Sequence, residues 1–127
     1  MKRVLCIGDA CADILIPYGK ARQGHSAFPD FSPGGTVANT ASGLGRLGVP
    51  CAFLGKAGTD YFGKSMRQAL AGDGVDVSHF TLSDSLVSTM VLVVVDEQGE
   101  RFPFLMPRDN PAHLAITQGD LPHTLLD

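Results

Sequence analysis

Short apolar segments alternate with glycine-bounded helical segments along this chain, and this alternation restricts the possible folds more than any other feature. Residues 3–8 (RVLCIG) and 49–55 (VPCAFLG) are apolar runs of strand length, which are typical of strands buried in a parallel sheet. The spacing of apolar residues predicts one helix that begins near Thr36 and ends before Gly48, and a second helix over residues 60–71. An alternation of strands and helices predicts an α/β layered fold.

The remaining segments predict a smaller β structure. Residues 87–95 and 101–106 flank the short polar turn DEQG, which is a hairpin signature. Residues 12–18 (ADILIPY) are a further strand candidate. Residues 19–33 are polar and rich in Gly and Pro, so they are predicted to form loop or edge structure, and the tail is predicted to begin a helix capped by Thr117.

Composition argues against several classes of partner. The chain has 127 residues, a net charge of −3 and only short apolar runs, so neither a nucleic-acid surface nor a membrane span is expected. Cys6, Cys11 and Cys51 lack the spacing of metal ligands, and their odd number argues against a disulfide framework, which predicts reduced thiols in a cytoplasmic protein. The four histidines lie in polar or turn-like segments and are expected to be exposed.

Residues 58–65 (GTDYFGKS) match the phosphate-binding pattern G-x-x-x-x-G-K-[ST] at every position. A P-loop would hold them in a loop whose backbone N–H groups surround a phosphate, and residues 90–96 (MVLVVVD) would supply a magnesium-binding Asp. However, the apolar periodicity of the next helix already starts at Phe62, and residues 90–96 run directly into the predicted hairpin. A helix start is therefore the favoured interpretation, and a P-loop NTPase fragment is the alternative.

A double glycine opens the first long helix. Gly34 and Gly35 follow an irregular, proline-containing segment, and paired glycines allow a ligand close to the backbone and leave helix N-terminal donors free. Asn39, one turn further on, offers both a donor and an acceptor. The arrangement suits a neutral, polyhydroxylated ligand, and a plain helix-capping turn is the alternative.

Five stretches, taken in order, resemble the N-terminal part of the PfkB (ribokinase-like) carbohydrate kinases. They are VLCIGDACADIL, PGGTVANTASGLGRLG, AFLGKAGTDYFGKSMRQALAGDGVDV, STMVLVVVDEQGER and DNPAHLA, of which the glycine-rich second stretch is quite specific. The resemblance implies a ribokinase-like three-layer α/β sandwich with a small β lid. It also implies that GTDYFG is similar to the family's G-x-D-x-x-G at a helix start.

The resemblance further implies an activity and a set of site residues. Members of this family are ATP-dependent kinases that phosphorylate a sugar or nucleoside hydroxyl with magnesium. Asp13 would accept hydrogen bonds from sugar hydroxyls, and Gly34, Gly35 and Asn39 would complete the sugar pocket. Ribokinases carry a hydroxyl- or amide-bearing residue two positions before that Asp, where this chain has Cys11, which argues against ribose itself as the substrate.

The implied lid would take its strands from about residues 12–18 and 87–106, cover the sugar and form a homodimer interface. An apolar group in the last of these strands would suit such an interface, with packing inside one subunit as the alternative: Phe102, Phe104, Leu105 and Met106.

The chain covers less than half of a usual family member. Its sequence lacks the ATP-binding part, the catalytic Asp of the D-T-x-G-A-G-D motif and the magnesium motif. We therefore expect no catalytic, nucleotide or metal site within residues 1–127, and we assign ATP and magnesium to a full-length parent. The chain is interpreted as the N-terminal, sugar-binding part of a carbohydrate kinase in truncated or proteolysed form, and a non-catalytic sugar-binding or dimerisation module is the alternative.

Overall fold

The computed structural model describes residues 2–106 and 109–125. In chain order the strands and longer helices are β1 (Val4–Ile7), β2 (Cys11–Ile16), α1 (Tyr18–Arg22), β3 (Asp30–Gly34), α2 (Thr36–Arg46), β4 (Cys51–Gly58), α3 (Tyr61–Gly72), β5 (Phe80–Ser83), β6 (Thr89–Val95) and β7 (Arg101–Leu105). Three 3₁₀ turns follow, at Ala112–Leu114, Gln118–Asp120 and His123–Leu125. None of the helices in these residues is long and apolar enough to cross a membrane.

The body of the molecule is a parallel sheet with strand order β1-β4-β5, contacted by α2 and α3. Strand β4 is buried at nearly every position because it lies between two strands and against both helices, which explains its continuous apolar sequence. The rings of Phe53 and Phe80 pack edge to face at 5.0 Å, and Met66 and Leu70 of α3 complete this core. Burial of each such side chain contributes about 1.5–3 kcal/mol.

The two helices predicted from apolar spacing are present. Helix α2 begins at Thr36 as predicted, and Gly48 follows its end with a φ of 75°, in the left-handed region that favours glycine. Helix α3 begins at Tyr61, directly after the capping residue Asp60. The predicted α/β arrangement of the body is therefore confirmed.

A second sheet has the strand order β3-β2-β6-β7. Strand β2 pairs antiparallel with β3 and parallel with β6, and β6 pairs antiparallel with β7. Three of these strands overlap the segments 12–18 and 87–106 from which the lid strands were predicted.

Strand register sorts the side chains of the second sheet onto two faces, because alternate residues point to opposite sides. The Asp13 face carries Cys11, Asp13, Ser32, Gly34, Thr89, Val91 and Leu105. The Phe104 face carries Ile14, Phe31, Leu92, Val94, Phe102 and Phe104. The apolar group predicted in the last strand is therefore divided, since Leu105 faces away from the two phenylalanines.

The local sequence pattern was not sufficient to predict the structure of residues 19–33 and of the tail in full. Residues 30–34 form the edge strand β3, one of the two structures predicted, but helix α1 was not predicted. Helix α1 depends on a distant contact, because Gly19 is buried so close to the backbone of Asp96 that a Cβ would not fit. Thr117 does cap a helix, yet that helix is a single 3₁₀ turn.

Two sets of contacts hold the second sheet against the body. Phe31 of β3 packs edge to face on Tyr61 and Phe62 of α3, with ring centroids 6.1 and 5.2 Å away. Asp60 accepts hydrogen bonds from Ser88, just before β6, through the backbone N–H at 3.2 Å and the hydroxyl at 2.7 Å. These contacts join strand β3 and the start of β6 to the start of helix α3.

Candidate functional site

The P-loop-like residues 58–65 form the end of a strand and the start of a helix. Strand β4 ends at Gly58, and α3 begins three residues later, so the Gly63-Lys64-Ser65 part lies inside the helix. The N–H of Gly63 donates to the Asp60 carboxylate at 2.9 Å. Partial burial opposes ionisation of Asp60, but hydrogen bonds from Gly63 and Ser88 outweigh it and hold the pKa of Asp60 below its usual value. A carboxylate therefore takes the place that a P-loop reserves for phosphate.

The Walker B candidate, residues 90–96, also has a structural role. Residues 90–95 lie in β6, which belongs to the second sheet and does not neighbour β4. Asp96 accepts the backbone N–H groups of Gln98 and Glu100 at 2.9 and 2.8 Å and so closes the hairpin turn. The P-loop alternative is therefore wrong for this fold.

The start of α2 is capped by a residue that the sequence did not indicate. The carboxylate of Asp9, just after β1, accepts the N–H of Thr36 at 3.2 Å and that of Val37 at 3.3 Å, and its carbonyl accepts the N–H of Ala38 at 3.2 Å. The expectation of free helix donors after the double glycine is corrected accordingly. Gly35 is needed for this approach, since a Cβ there would lie 2.7 Å from the Asp9 carbonyl oxygen.

Asp13 and Gly34, both proposed from the sequence, are adjacent. Asp13 lies in β2, half-buried, and its strand partner in β3 is Ser32. A Cβ on Gly34 would overlap the Asp13 carboxylate and lie 2.7 Å from its Cγ. The absence of a side chain at position 34 thus creates the space that the carboxylate occupies.

The thiol of Cys11 completes the surroundings of this carboxylate. Cys11 is 8% exposed, and its Sγ donates to Asp13 Oδ1 at 3.6 Å. Burial, followed by the negative charge of Asp13 and the hydrogen bond to it, raises the pKa of Cys11 to about 12. The thiol is therefore protonated at neutral pH and acts as a donor.

Asn39 lines a cavity together with Gly34. Its side chain is exposed in the second turn of α2 and lines a cavity of about 280 Å³ between α2 and α3, which Gly34 and Ser32 also line. Gly34 is thus the residue common to the two halves of the candidate site. The structure brings together Asp13 with Gly34, and Gly34 with Asn39, whereas Gly35 supports the backbone beneath them.

A histidine near the Asp13 face was missed. His113 is half-buried rather than exposed, and its Nδ1 lies 2.8 Å from the hydroxyl of Thr89, the strand partner of Cys11. The backbone N–H of His113 also donates to that hydroxyl at 3.2 Å. No sequence pattern predicted this contact, since His113 follows an irregular segment and is 24 positions away from Thr89.

The groups at the helix starts, and the arrangement of possible metal ligands, bear on the binding of ATP and magnesium. The N-termini of α2 and α3 would be natural phosphate sites, but Asp9 and Asp60 occupy them with negative charge. Within residues 2–106 and 109–125, no group of three or more His, Cys, Asp or Glu side chains is arranged to hold a metal ion. The starts of α2 and α3 therefore do not suit a phosphate group, whereas Asp13 and Asn39 suit a ligand rich in hydroxyl groups.

Comparison with known sequences gives a consistent set of relatives. Residues 1–117 match the pfkB family of carbohydrate kinases. A fructokinase from Salmonella typhimurium is 40% identical over 120 residues, which cover 94% of this chain and 36% of that protein. An aminoimidazole riboside kinase from Salmonella typhimurium strain LT2 is 36% identical over 107 residues, which cover 84% of this chain and 31% of that protein.

Comparison of folds agrees with the sequences. The crystal structure of a fructokinase from Xylella fastidiosa with bound ATP superposes with a TM-score of 0.82 and 27% identity, covering 97% of this chain and 38% of that one. The predicted ribokinase-like α/β fold is thereby confirmed. This chain spans about a third of the length of these relatives, between 31% and 38%, and corresponds to their N-terminal part.

Proposed function

This chain belongs to the pfkB family of carbohydrate kinases, and we propose that it forms the sugar-binding part and lid of an ATP-dependent kinase. The kinase would transfer a phosphoryl group from ATP to a hydroxyl of a sugar or nucleoside. The observation that carries this proposal is the Asp13 carboxylate, which is held against the bare Cα of Gly34, and Gly34 in turn lines a cavity with Asn39.

Asp13 supplies what a sugar requires. An ionised carboxylate has acceptor positions on both oxygens and accepts strong, charge-assisted hydrogen bonds from hydroxyl groups. Cys11 uses one position on Oδ1, so Oδ2 and the rest of Oδ1 remain for the ligand. The amide of Asn39 both donates and accepts and would fix the orientation of the ring. These residues bind and orient the substrate, which brings the reacting hydroxyl to a defined position.

We propose D-fructose as the substrate, with an aminoimidazole riboside as the second candidate. The names of the two relatives described above support these choices, and the greater identity is to the fructokinase. Cys11, which offers a thiol instead of a hydroxyl or amide, continues to argue against ribose.

The remaining assignments follow from the family. We propose that the second sheet is the lid over the sugar, that its Phe104 face forms a homodimer, and that ATP and magnesium bind to the longer kinase outside this chain. A cytoplasmic location is supported by the three cysteines, which are all free and buried. A non-catalytic sugar-binding module remains the second candidate, because the residues described here explain sugar binding without phosphoryl transfer.

Steady-state kinetics of the longer kinase test the role of Asp13. Asp13→Asn should raise the KM for D-fructose roughly 10- to 100-fold, because a hydrogen bond to a charged group contributes about 1.5–3 kcal/mol. The KM for ATP should change less than about twofold, since this carboxylate does not face the nucleotide in the proposal. The matched control is Asp30→Asn, in the same sheet, where the carboxylate accepts the N–H of the next residue.

Three outcomes discriminate between the proposals. Equal changes in both KM values, or no change with fructose, would contradict a sugar-binding role for Asp13. A higher kcat/KM for aminoimidazole riboside than for fructose would transfer the proposal to the second substrate. Fructose binding without any ATP consumption would favour the non-catalytic module.

A further inference from the structure

We propose that Cys11 is a positioning residue, whose thiol fixes one oxygen of the Asp13 carboxylate so that the other faces the sugar hydroxyls. This inference rests on the proposed function, because it assigns a role at the same sugar site. Cys11 would act through Asp13 and would not contact the reacting atoms.

The first argument is geometric. Cys11 and Asp13 are two positions apart in β2 and therefore lie on the same face of the sheet. A carboxylate rotates about its last torsion in a broad, two-fold well, so an isolated Asp does not have a unique orientation. Here the Cys11 Sγ lies 3.6 Å from Oδ1, and Gly34 lies beside the carboxylate, where a side chain would overlap it. The carboxylate is thus held between a donor and a backbone wall.

The second argument is that the neighbouring hydroxyl groups form hydrogen bonds to groups other than the Asp13 carboxylate. Thr89, the strand partner of Cys11, hydrogen-bonds to His113. Ser32, the strand partner of Asp13, has its Oγ 3.4 Å from the carbonyl of Pro33. Within residues 2–106 and 109–125, Cys11 is the one side chain shown to donate a hydrogen bond to this carboxylate.

The third argument concerns the chemical state of the thiol. Cys11 is buried, and its pKa of about 12 keeps the proton on sulfur at neutral pH, which is the state required of a donor. The thiol of Cys51 is also buried, but it donates to the carbonyl of Ala41, in the body and away from Asp13. Cys51 therefore provides a matched control for the loss of a buried thiol.

The test compares Cys11→Val with Cys11→Ser in the longer kinase. Valine has a similar size but no donor, so the KM for D-fructose should rise about three- to tenfold, with the KM for ATP within about twofold. Serine keeps a donor and should restore the fructose KM to within about twofold of wild type. Cys51→Val should leave the fructose KM unchanged, although it removes an equivalent buried thiol.

The fructose KM values are compared among variants that have melting temperatures close to that of wild type, so that a change in KM reports positioning and not general destabilisation. If Cys11→Val and Cys11→Ser raise the fructose KM equally, the donor is irrelevant and the inference is overturned. It is overturned as well if Cys11→Val keeps the wild-type fructose KM while Asp13→Asn raises it. If Asp13→Asn also has no effect, the proposed function itself fails. If Cys11→Val does not fold, Cys11→Ala replaces it, with the same expected rise in KM and the same outcome overturning the inference.

Discussion

Gly35 connects strand β3 to helix α2 in a conformation that few other residues adopt. It follows β3 with a φ of 104°, and a Cβ at this position would lie 2.7 Å from the Asp9 carbonyl oxygen and 2.9 Å from Cα of Ala10. Both obstructing atoms belong to the backbone, so a substitution would displace the segment that caps α2. The double glycine is therefore required by the fold as well as by any ligand.

We expect Gly35→Ala to lower the free energy of unfolding by about 2–4 kcal/mol, from an unfavourable φ and a steric clash. Gly43→Ala is the matched control in α2, since nothing lies within 4 Å of its added Cβ. This control should raise the free energy of unfolding by about 0.5–1 kcal/mol, because alanine favours a helix more than glycine does. Urea denaturation measures both, and equal effects at the two positions would contradict the account of Gly35.

The sequence suggested some residues of the candidate site and missed another residue that shapes it. Asp13, Gly34, Gly35 and Asn39 were named from motifs and from resemblance, and their roles in sugar binding stay a proposal. Asp9 was missed because its carboxylate caps α2 from 27 and 28 positions earlier in the chain, whereas a helix cap is normally sought beside the helix. The packing of α2 against β1 and β4 brings Asp9 to the start of that helix.

At the scale of elements, the start of α3 joins the body to the second sheet. Asp60 accepts from Gly63 within the helix and from Ser88 beside β6. We expect Asp60→Ala to lower the free energy of unfolding by about 1–3 kcal/mol, because a cap and the partner of Ser88 are both lost. Asp30→Ala is the control, and a loss as large in that variant would show that any removed carboxylate has the same effect.

The same residue predicts a pH dependence. The pKa of Asp60 is lower in the folded protein than its ordinary value of 3.8. Its ionised form therefore stabilises the fold above that ordinary value, and this contribution is lost as the pH falls through the lower, folded pKa. Stability measured from pH 6 down to about pH 2 should fall more steeply in wild type than in Asp60→Ala. Parallel curves would contradict this assignment.

Regular elements were easier to predict than irregular ones for a physical reason. Helices α2 and α3 and strand β4 bury a periodic or continuous apolar face, which is visible in the local sequence. Helix α1 and strand β3 have no periodic or continuous apolar face. Instead, the packing of Gly19 against Asp96 holds α1 in place, and the pairing with β2 holds β3. Distant contacts determine these elements, so the local sequence did not predict α1 and indicated an edge structure at β3 only as one of two possibilities.

Across the whole molecule, the candidate site lies where the two sheets meet. Asp13 belongs to the second sheet, Asn39 belongs to a body helix, and Gly34 ends the strand between them. Their relative positions depend on the packing of Phe31 against α3 and on the Asp60–Ser88 hydrogen bonds. No motif in the sequence specifies these relative positions, so the sequence could suggest candidate site residues but not their arrangement.

The Phe104 face gives the last prediction at this scale. Phe104 is 57% exposed and Phe102 44% exposed, and the half-buried Leu92 and Val94 lie beside them in register. Phe31, on the same face, packs on α3, but an exposed apolar sheet surface such as that of Phe102 and Phe104 is typical of an association surface, and the proposed homodimer would bury it. Phe104→Glu would bring a charge into that interface, at a cost of at least about 2 kcal/mol, so the dimer dissociation constant should rise about 30-fold or more.

Sedimentation velocity of the longer kinase at micromolar concentration measures this change, with wild type expected as a dimer and Phe104→Glu as a monomer. The matched control is Leu47→Glu, because Leu47 is 81% exposed at the end of α2, outside the second sheet. It should remain dimeric, since the same charge is added to an apolar position that the proposed interface does not include. A monomeric wild type, or a Phe104→Glu variant that stays dimeric, would remove the Phe104 face from the proposed interface. If Leu47→Glu dissociates instead, the subunits associate through the body, and the second sheet acts within one subunit alone.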